Sequence, residues 1–218
     1  MRESRLILAL DVYDREKALE IAERTADYLW AIKVNWPLIT GSGLKIITEL
    51  KQVTGLPIIA DLKLADIPNT NRMIASKVFE AGADYIIVHG FVGRDSVEAV
   101  MGGLGKTIIV VEMSHPPGAK EFIQPVVDKL IELANELKPF GGVIAPATRP
   151  ERVSYIRSKL QEGGIKILTP GVGAQGGKAK NAVKAGADYV IVGRFIYGSD
   201  TPPREAARGL YEEISEVV

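Results

Sequence analysis

The feature that most limits what this chain can fold into is a strict alternation of short Ile/Val-rich runs with longer amphipathic segments. The apolar runs are residues 5–11 (RLILALD), 31–35 (AIKVN), 57–63 (PIIADLK), 85–90 (YIIVHG), 107–113 (TIIVVEM), 142–146 (GVIAP), 166–170 (KILTP) and 189–193 (YVIVG). They lack the apolar/polar alternation of a strand with one wet face, so both faces are expected to be buried, as in a parallel sheet. Helical spacing fills the intervals at 15–29, 44–53, 69–81, 96–101, 122–137, 151–160, 178–185 and 204–217. In the first of these Ala18, Ile21, Ala22 and Leu29 form the apolar stripe, and Asp14 is placed to cap it. Gly82 and Gly186 stop two helices inside near-copies of one phrase, AGADYIIV and AGADYVIV. Glycine suits that position because it alone takes a positive φ cheaply.

Eight strands and eight helices in 218 residues leave about 27 residues per unit, close to the minimum for a (β/α)8 TIM barrel. The expectation is therefore an α/β fold, one barrel domain spanning residues 1–218, with a doubly wound open sheet as the alternative. Composition narrows the function. Lys+Arg and Asp+Glu number 27 each, a balance that gives no electrostatic reason to expect nucleic acid or a membrane surface as partner. The absence of cysteine excludes a disulfide framework, a thiolate nucleophile and Cys-ligated metal, and only His89 and His115 remain as imidazole ligands. No apolar run approaches the roughly 20 residues of a membrane helix, and the start Met-Arg-Glu-Ser-Arg does not read as a signal peptide. A cytoplasmic location is the default expectation.

In a barrel of this kind chemistry sits at the C-terminal ends of the strands. Asp11 ends the first run, Lys33 lies late in the second, Asp61 and Lys63 close the third, and Asp66 follows in the next loop. Residues two apart on a strand share a face about 7 Å apart, and neighbouring strands lie roughly 4.8 Å apart. Four charges of alternating sign thus converge at one place, which is costly in a barrel interior unless they are paired or used. The competing reading is of rim ion pairs, with Asp66 capping the helix that begins near Pro68. A second cluster is the glycine-rich PGVGAQGG of 170–177 together with Gly193 and Arg194, where such barrels bind phosphate. The GVGAQG within it matches a dinucleotide fingerprint only formally, since no acidic residue closes the following strand. Gly105-Lys106-Thr107 resembles a phosphate loop but precedes a strand. Ser114 and His115 start a loop; His89 reads as a satisfied structural histidine, and Trp30 and Trp36 as packing.

Asp61-Leu-Lys63-Leu-Ala-Asp66-Ile67-Pro-Asn-Thr70 resembles the D-x-K-x-x-D-I-x-x-T signature of the orotidine 5'-monophosphate decarboxylase family, in its short archaeal form. LALD, KVNWPLI, VHGFVG, EMSHPPG, TPGVGAQGG and VGRFIY extend the resemblance over essentially the whole chain. Sugar-phosphate decarboxylases and aldolases of the same suprafamily share the D-x-K-x-x-D core but hold Mg²⁺ with an acidic residue where this chain has Lys33. A lysine there would repel the cation, so the resemblance implies a site without metal or organic cofactor. It also implies that Lys63 donates a proton to carbon 6 of the pyrimidine, its protonated form favoured by flanking acids, while Asp61 faces the substrate carboxylate. By the same resemblance Asp11 and Lys33 bind ribose hydroxyls, and Asp66, Ile67 and Thr70 reach the site of a partner subunit in a homodimer. Ser114 reads the base edge, Gln175 bridges base and phosphate, and Pro170, Val172, Gly193 and Arg194 complete the substrate contacts, with the 170–177 loop closing as a lid. The remaining alternatives are a Mg²⁺-dependent sugar-phosphate enzyme and a non-catalytic phosphonucleotide-binding barrel.

Overall fold

A computed structural model describes residues 4–102, 106–115, 118–161 and 164–217. The N-terminal Met1–Glu3, Gly105 of the phosphate-loop look-alike and Pro116–Pro117 of SHPPG lie outside the described residues.

Eight parallel strands, β1 Leu6–Leu10, β2 Ala31–Asn35, β3 Ile58–Leu64, β4 Tyr85–His89, β5 Thr107–Val110, β6 Gly142–Ile144, β7 Ile167–Pro170 and β8 Tyr189–Val192, pair in chain order. β8 pairs back onto β1, with Ile7 level with Ile191, and the sheet closes into a barrel instead of the open alternative. Strand parity divides the core in two. Ile7, Ala9, Ala31, Ile59, Ile87, Ile108, Val110, Ile144, Leu168 and Ile191 fill the barrel's interior as one small cluster. The residues between them, such as Leu6, Leu8, Ile32, Val34, Ile58 and Ile86, belong to the larger layer beneath the helices. Burial on both faces is why these strands read as unbroken apolar runs, each buried Ile or Leu contributing about 1.5–3 kcal/mol. At the N-terminal end Trp30 stacks on Tyr189 at 4.0 Å and lies 5.8 Å from Tyr85, closing the barrel floor.

The helices are α1 Arg15–Thr25, α2 Trp36–Ser42, α3 Lys45–Thr54, α4 Pro68–Glu80, α5 Arg94–Met101, α6 Val127–Leu137, α7 Pro150–Lys159, α8 Ala179–Lys184, α9 Arg194–Tyr197 and α10 Pro203–Ser215. Asp14 caps α1, its Oδ1 accepting the Lys17 N–H at 2.7 Å, which is worth about 1 kcal/mol. Gly82 and Gly186 follow α4 and α8 with φ of 100° and 106°.

Several boundaries differ from the sequence expectation. β5 ends at Val110, short of Met113; just beyond it the buried Glu112 pairs with Arg149 at 2.7 Å and Arg152 at 2.9 Å. The helix expected from residue 122 is broken by Pro125, which lacks the N–H a continuous helix needs. A π-helical turn over Ala119–Ile123 and a 3-10 turn over Gln124–Val126 precede α6 instead. The short α2 and α9, each starting where a strand ends, escaped a reading tuned to longer periodic segments.

Candidate active site

The charged residues of the first three strands form a row across the barrel mouth. Ala9 is level with Lys33 and Asn35 with Asp61, so the strand ends present Asp11, Lys33, Asp61 and Lys63 side by side. Lys33 Nζ donates to Asp61 Oδ2 at 2.7 Å and lies 3.9 Å from Asp11 Oδ1, and Lys63 Nζ donates to Asp61 Oδ1 at 2.7 Å. Lys33 and Asp61 are each only 5% exposed. Burial works against both charges, yet each stays ionised. The Asp61 and Asp11 carboxylates outweigh desolvation and hold the Lys33 pKa above its ordinary value. Lys33 and Lys63 likewise outweigh it for Asp61, whose pKa is lowered. Both Asp61 oxygens are thus taken by ammonium groups, and a divalent cation there would have to displace them. Among the described residues no group of three or more His, Asp or Glu could hold a metal ion.

This row forms one wall of a cavity of about 280 Å³, near the lower end of small-molecule sites. Ile87, Val110, Ile144 and Ile191 make its floor; Ser114, His115, Pro170, Val172, Gln175, Gly193 and Arg194 line the rest. Gly171 has φ 103°, and a Cβ there would stand 2.9 Å from Thr148 Cγ2 and 3.2 Å from Ser114 Cβ. Only glycine therefore lets the 170–177 loop run this close to Ser114. The loop is held by its own backbone, with Gly173 N–H donating to the Gly177 carbonyl at 2.9 Å and Gly177 N–H to that of Gly171 at 3.1 Å. Arg194 is exposed at the mouth with its guanidinium available for an anion.

The structure brings together Asp11, Lys33, Asp61, Lys63, Ser114, Pro170, Val172, Gln175, Gly193 and Arg194. It does not bring Asp66, Ile67 or Thr70 to this cavity. Asp66 and Ile67 are exposed, and Asp66 Oδ1 accepts the adjacent Ile67 N–H at 2.7 Å. Asp66 is not the cap of α4 either, since Ile67 occupies the N-cap position. Two structural readings need correction. His89 Nδ1 is buried with no partner among the described residues; the ring lies tilted against Phe91 with centroids 4.6 Å apart and feels the charges of Lys63 and Asp61. Trp36 does more than pack: its Nε1–H donates to the Leu62 carbonyl at 3.0 Å.

Other residues of the site were missed from sequence. Asn35 lines the cavity, and the two-residue period from Lys33 could have found it. Tyr197 Oη accepts the Asp11 N–H at 3.1 Å, and burial raises the Tyr197 pKa. Thr148 Oγ1 donates to the Ser114 carbonyl at 2.8 Å, and Arg149 Nη2 to that of Met113 at 2.8 Å. Nothing local in the sequence announces these long-range anchors.

The sequence model of the "Orotidine 5'-phosphate decarboxylase / HUMPS family" matches residues 4–210. A curated orotidine 5'-phosphate decarboxylase of Thermococcus kodakarensis is 88% identical over 218 residues, covering 100% of both chains. The crystal structure of orotidine 5'-phosphate decarboxylase from Pyrococcus horikoshii superposes with a TM-score of 0.90 at 68% identity, over 96% of this chain and 99% of that one. That of the Methanocaldococcus jannaschii enzyme complexed with inhibitor BMP also gives 0.90, at 47% identity over 98% and 99% of the two chains.

Proposed function

The chain belongs to the orotidine 5'-phosphate decarboxylase / HUMPS family, and from that premise we propose that it converts orotidine 5'-monophosphate to uridine 5'-monophosphate using its own side chains alone. The activity is that of a carbon–carbon lyase in pyrimidine nucleotide synthesis. The observation that carries the finer assignment is the Asp11–Lys33–Asp61–Lys63 row facing one cavity.

In this reading the nucleotide lies with its phosphate at Gly193 and Arg194, its ribose against Asp11 and Lys33, and its base toward Ser114. Gln175 spans base and phosphate, and Pro170 and Val172 pack against the nucleotide from the loop. Carbon 6 and its carboxylate then stand over Asp61 and Lys63. The bond to the carboxylate breaks, carbon dioxide leaves, and the electron pair stays on carbon 6. A proton from the Lys63 ammonium goes to that carbon, and solvent later restores it to the amine. The ammonium is fixed in advance by its 2.7 Å bond to Asp61, so little reorganisation accompanies the developing charge. Phosphate contacts remote from carbon 6 supply binding energy that loop closure turns to lowering the barrier.

We also infer a homodimer in which Asp66, Ile67 and Thr70 complete the site of a second copy. Their placement outside their own cavity supports this, as does the exposure of Ile67 and Met73 beside the half-exposed Trp36. A location in the cytoplasm goes with nucleotide synthesis, and no helix among the described residues is long and apolar enough to cross a membrane. The nucleotide and a second copy are the partners this chemistry requires.

The test is ultraviolet absorbance after mixing protein with orotidine monophosphate, with and without a chelator. Rapid conversion in both is expected. No conversion by folded protein would overturn the substrate assignment, and conversion abolished by chelator would overturn the metal-free part.

A further inference from the structure

Lys63 stands on distorted backbone. From Ala60 to Leu64, β3 is set against only Ile86 to Val88 of β4, so the ladder is interrupted across Asp61–Lys63. On the other side the register with β2 ends at Asp61. Within this bulge Lys63 has φ +45°; among the described residues the one other non-glycine with positive φ is Lys138, which ends α6. A left-handed φ is unfavourable for a residue with a side chain and persists only where its surroundings impose it.

One such constraint is visible. The Leu62 carbonyl, beyond the β2 register and inside the bulge, accepts the Trp36 indole N–H at 3.0 Å. That carbonyl and the Lys63 N–H belong to the same planar peptide unit. With that peptide plane held, a change in the Lys63 φ moves its side chain relative to Asp61.

We propose that Trp36 is a positioning residue for Lys63, its indole N–H holding the Leu62–Lys63 peptide in the left-handed turn that aims Nζ at Asp61 and the cavity. The inference rests on the reading of Lys63 as proton donor. Trp36 begins α2 directly after β2, so it rides on the strand that carries Lys33 and ties the two lysine-bearing strands together. The residue is 49% exposed while its bond to the 4%-exposed Leu62 is partly buried, and a single hydrogen bond adds little net stability. Its effect therefore belongs in turnover more than in folding.

The experiment replaces Trp36 by 3-benzothienylalanine through amber suppression, exchanging the indole N–H for sulfur at nearly constant shape. Trp36→Phe is made in parallel, and 5-fluorotryptophan at the same position retains the N–H. Turnover, KM, uridine monophosphate affinity, oligomeric state and melting temperature are measured for each. The expected result is a fall in kcat of about tenfold for the benzothienyl and Phe variants, the scale of one lost hydrogen bond. KM and nucleotide affinity should stay within twofold, melting should shift little, and the fluorinated variant should keep parental kcat. A benzothienyl kcat within twofold of the parent overturns the proposal. So does a parallel loss of kcat and nucleotide affinity, which marks general damage. A Lys63→Ala control with near-normal turnover would instead overturn the proton-donor reading itself, whatever Trp36 does.

Discussion

Replacing His89 by Gln should remove one specific source of acid sensitivity from the fold. His89 ends β4, is 8% exposed, and has a buried Nδ1 with no partner among the described residues. Burial, reinforced by the Lys63 ammonium and only partly opposed by Asp61, lowers its pKa from 6.5 to about 4. Below pH 6.5 the unfolded chain therefore takes up a proton at this position that the folded chain refuses until about pH 4. Stability from this group is fully present above 6.5 and falls as pH drops through that window, by about 1.4 kcal/mol per unit. Between pH 7 and 4.5 the loss amounts to about 2.5 kcal/mol. Asp61, Glu49, Glu80 and Glu216, whose pKa values are lowered, lose their contributions in more acid solution, but both proteins share them. The assay is denaturant unfolding of parent and His89→Gln at pH 7 and 4.5, followed by tryptophan fluorescence at equal protein concentration. The parent should lose about 2.5 kcal/mol more than the variant. Losses that agree within about 0.5 kcal/mol, well inside the effect expected from linkage, would refute a neutral buried His89.

Three further substitutions probe the site. Lys63→Ala should abolish decarboxylation, by at least a thousandfold, while isothermal titration still detects uridine monophosphate; near-normal turnover would remove Lys63 from the chemistry. Arg194→Ala should weaken uridine monophosphate by about 10- to 100-fold, the scale of a charge-assisted hydrogen bond, and leave uridine affinity unchanged. Equal nucleotide affinity in parent and variant would place the phosphate elsewhere. Mixing inactive Lys63→Ala with inactive Asp66→Ala should restore part of the activity, because a hybrid dimer carries one intact shared site. Confirmed hybrids without recovery would count against sharing.

The barrel was legible because a doubly buried strand leaves a simple trace. Runs such as YIIVHG and YVIVG have no wet face, and each is followed by enough chain for one covering helix. Charges inside such runs are equally conspicuous: Lys33, Asp61 and Lys63 stand out because their neighbours are Ile, Val, Ala and Leu. Glu112, in TIIVVEM, carries the same signal, and it is fully buried. What the run cannot reveal is its partner, since Arg149 and Arg152 arrive from a different βα unit. Tyr197 at Asp11 and Thr148 at Ser114 are hidden for the same reason. The bulge in β3 is hidden differently. Inward and outward residues keep their order through it, Leu62 and Leu64 outside and Lys63 between them, so the sequence period shows no break.

The row itself poses a question that stability does not answer. Carrying Lys33 and Asp61 out of water costs several kcal/mol per ion, and their mutual attraction does little more than offset it. Apolar residues of similar volume at the same positions would leave a barrel as stable or more so. An ionic row kept under those terms is explained by what its outer end does. Lys63, at 39% side-chain exposure, is the member that opens to the cavity, and Asp61 behind it is held ionised by Lys33. Lys33 is in turn held charged by Asp61 and Asp11. Each inner charge fixes the next, so the last ammonium is presented to the cavity already oriented, with both oxygens of its counter-charge engaged. If Lys63 donates the proton as proposed, the buried part of the row is the foundation of that donor.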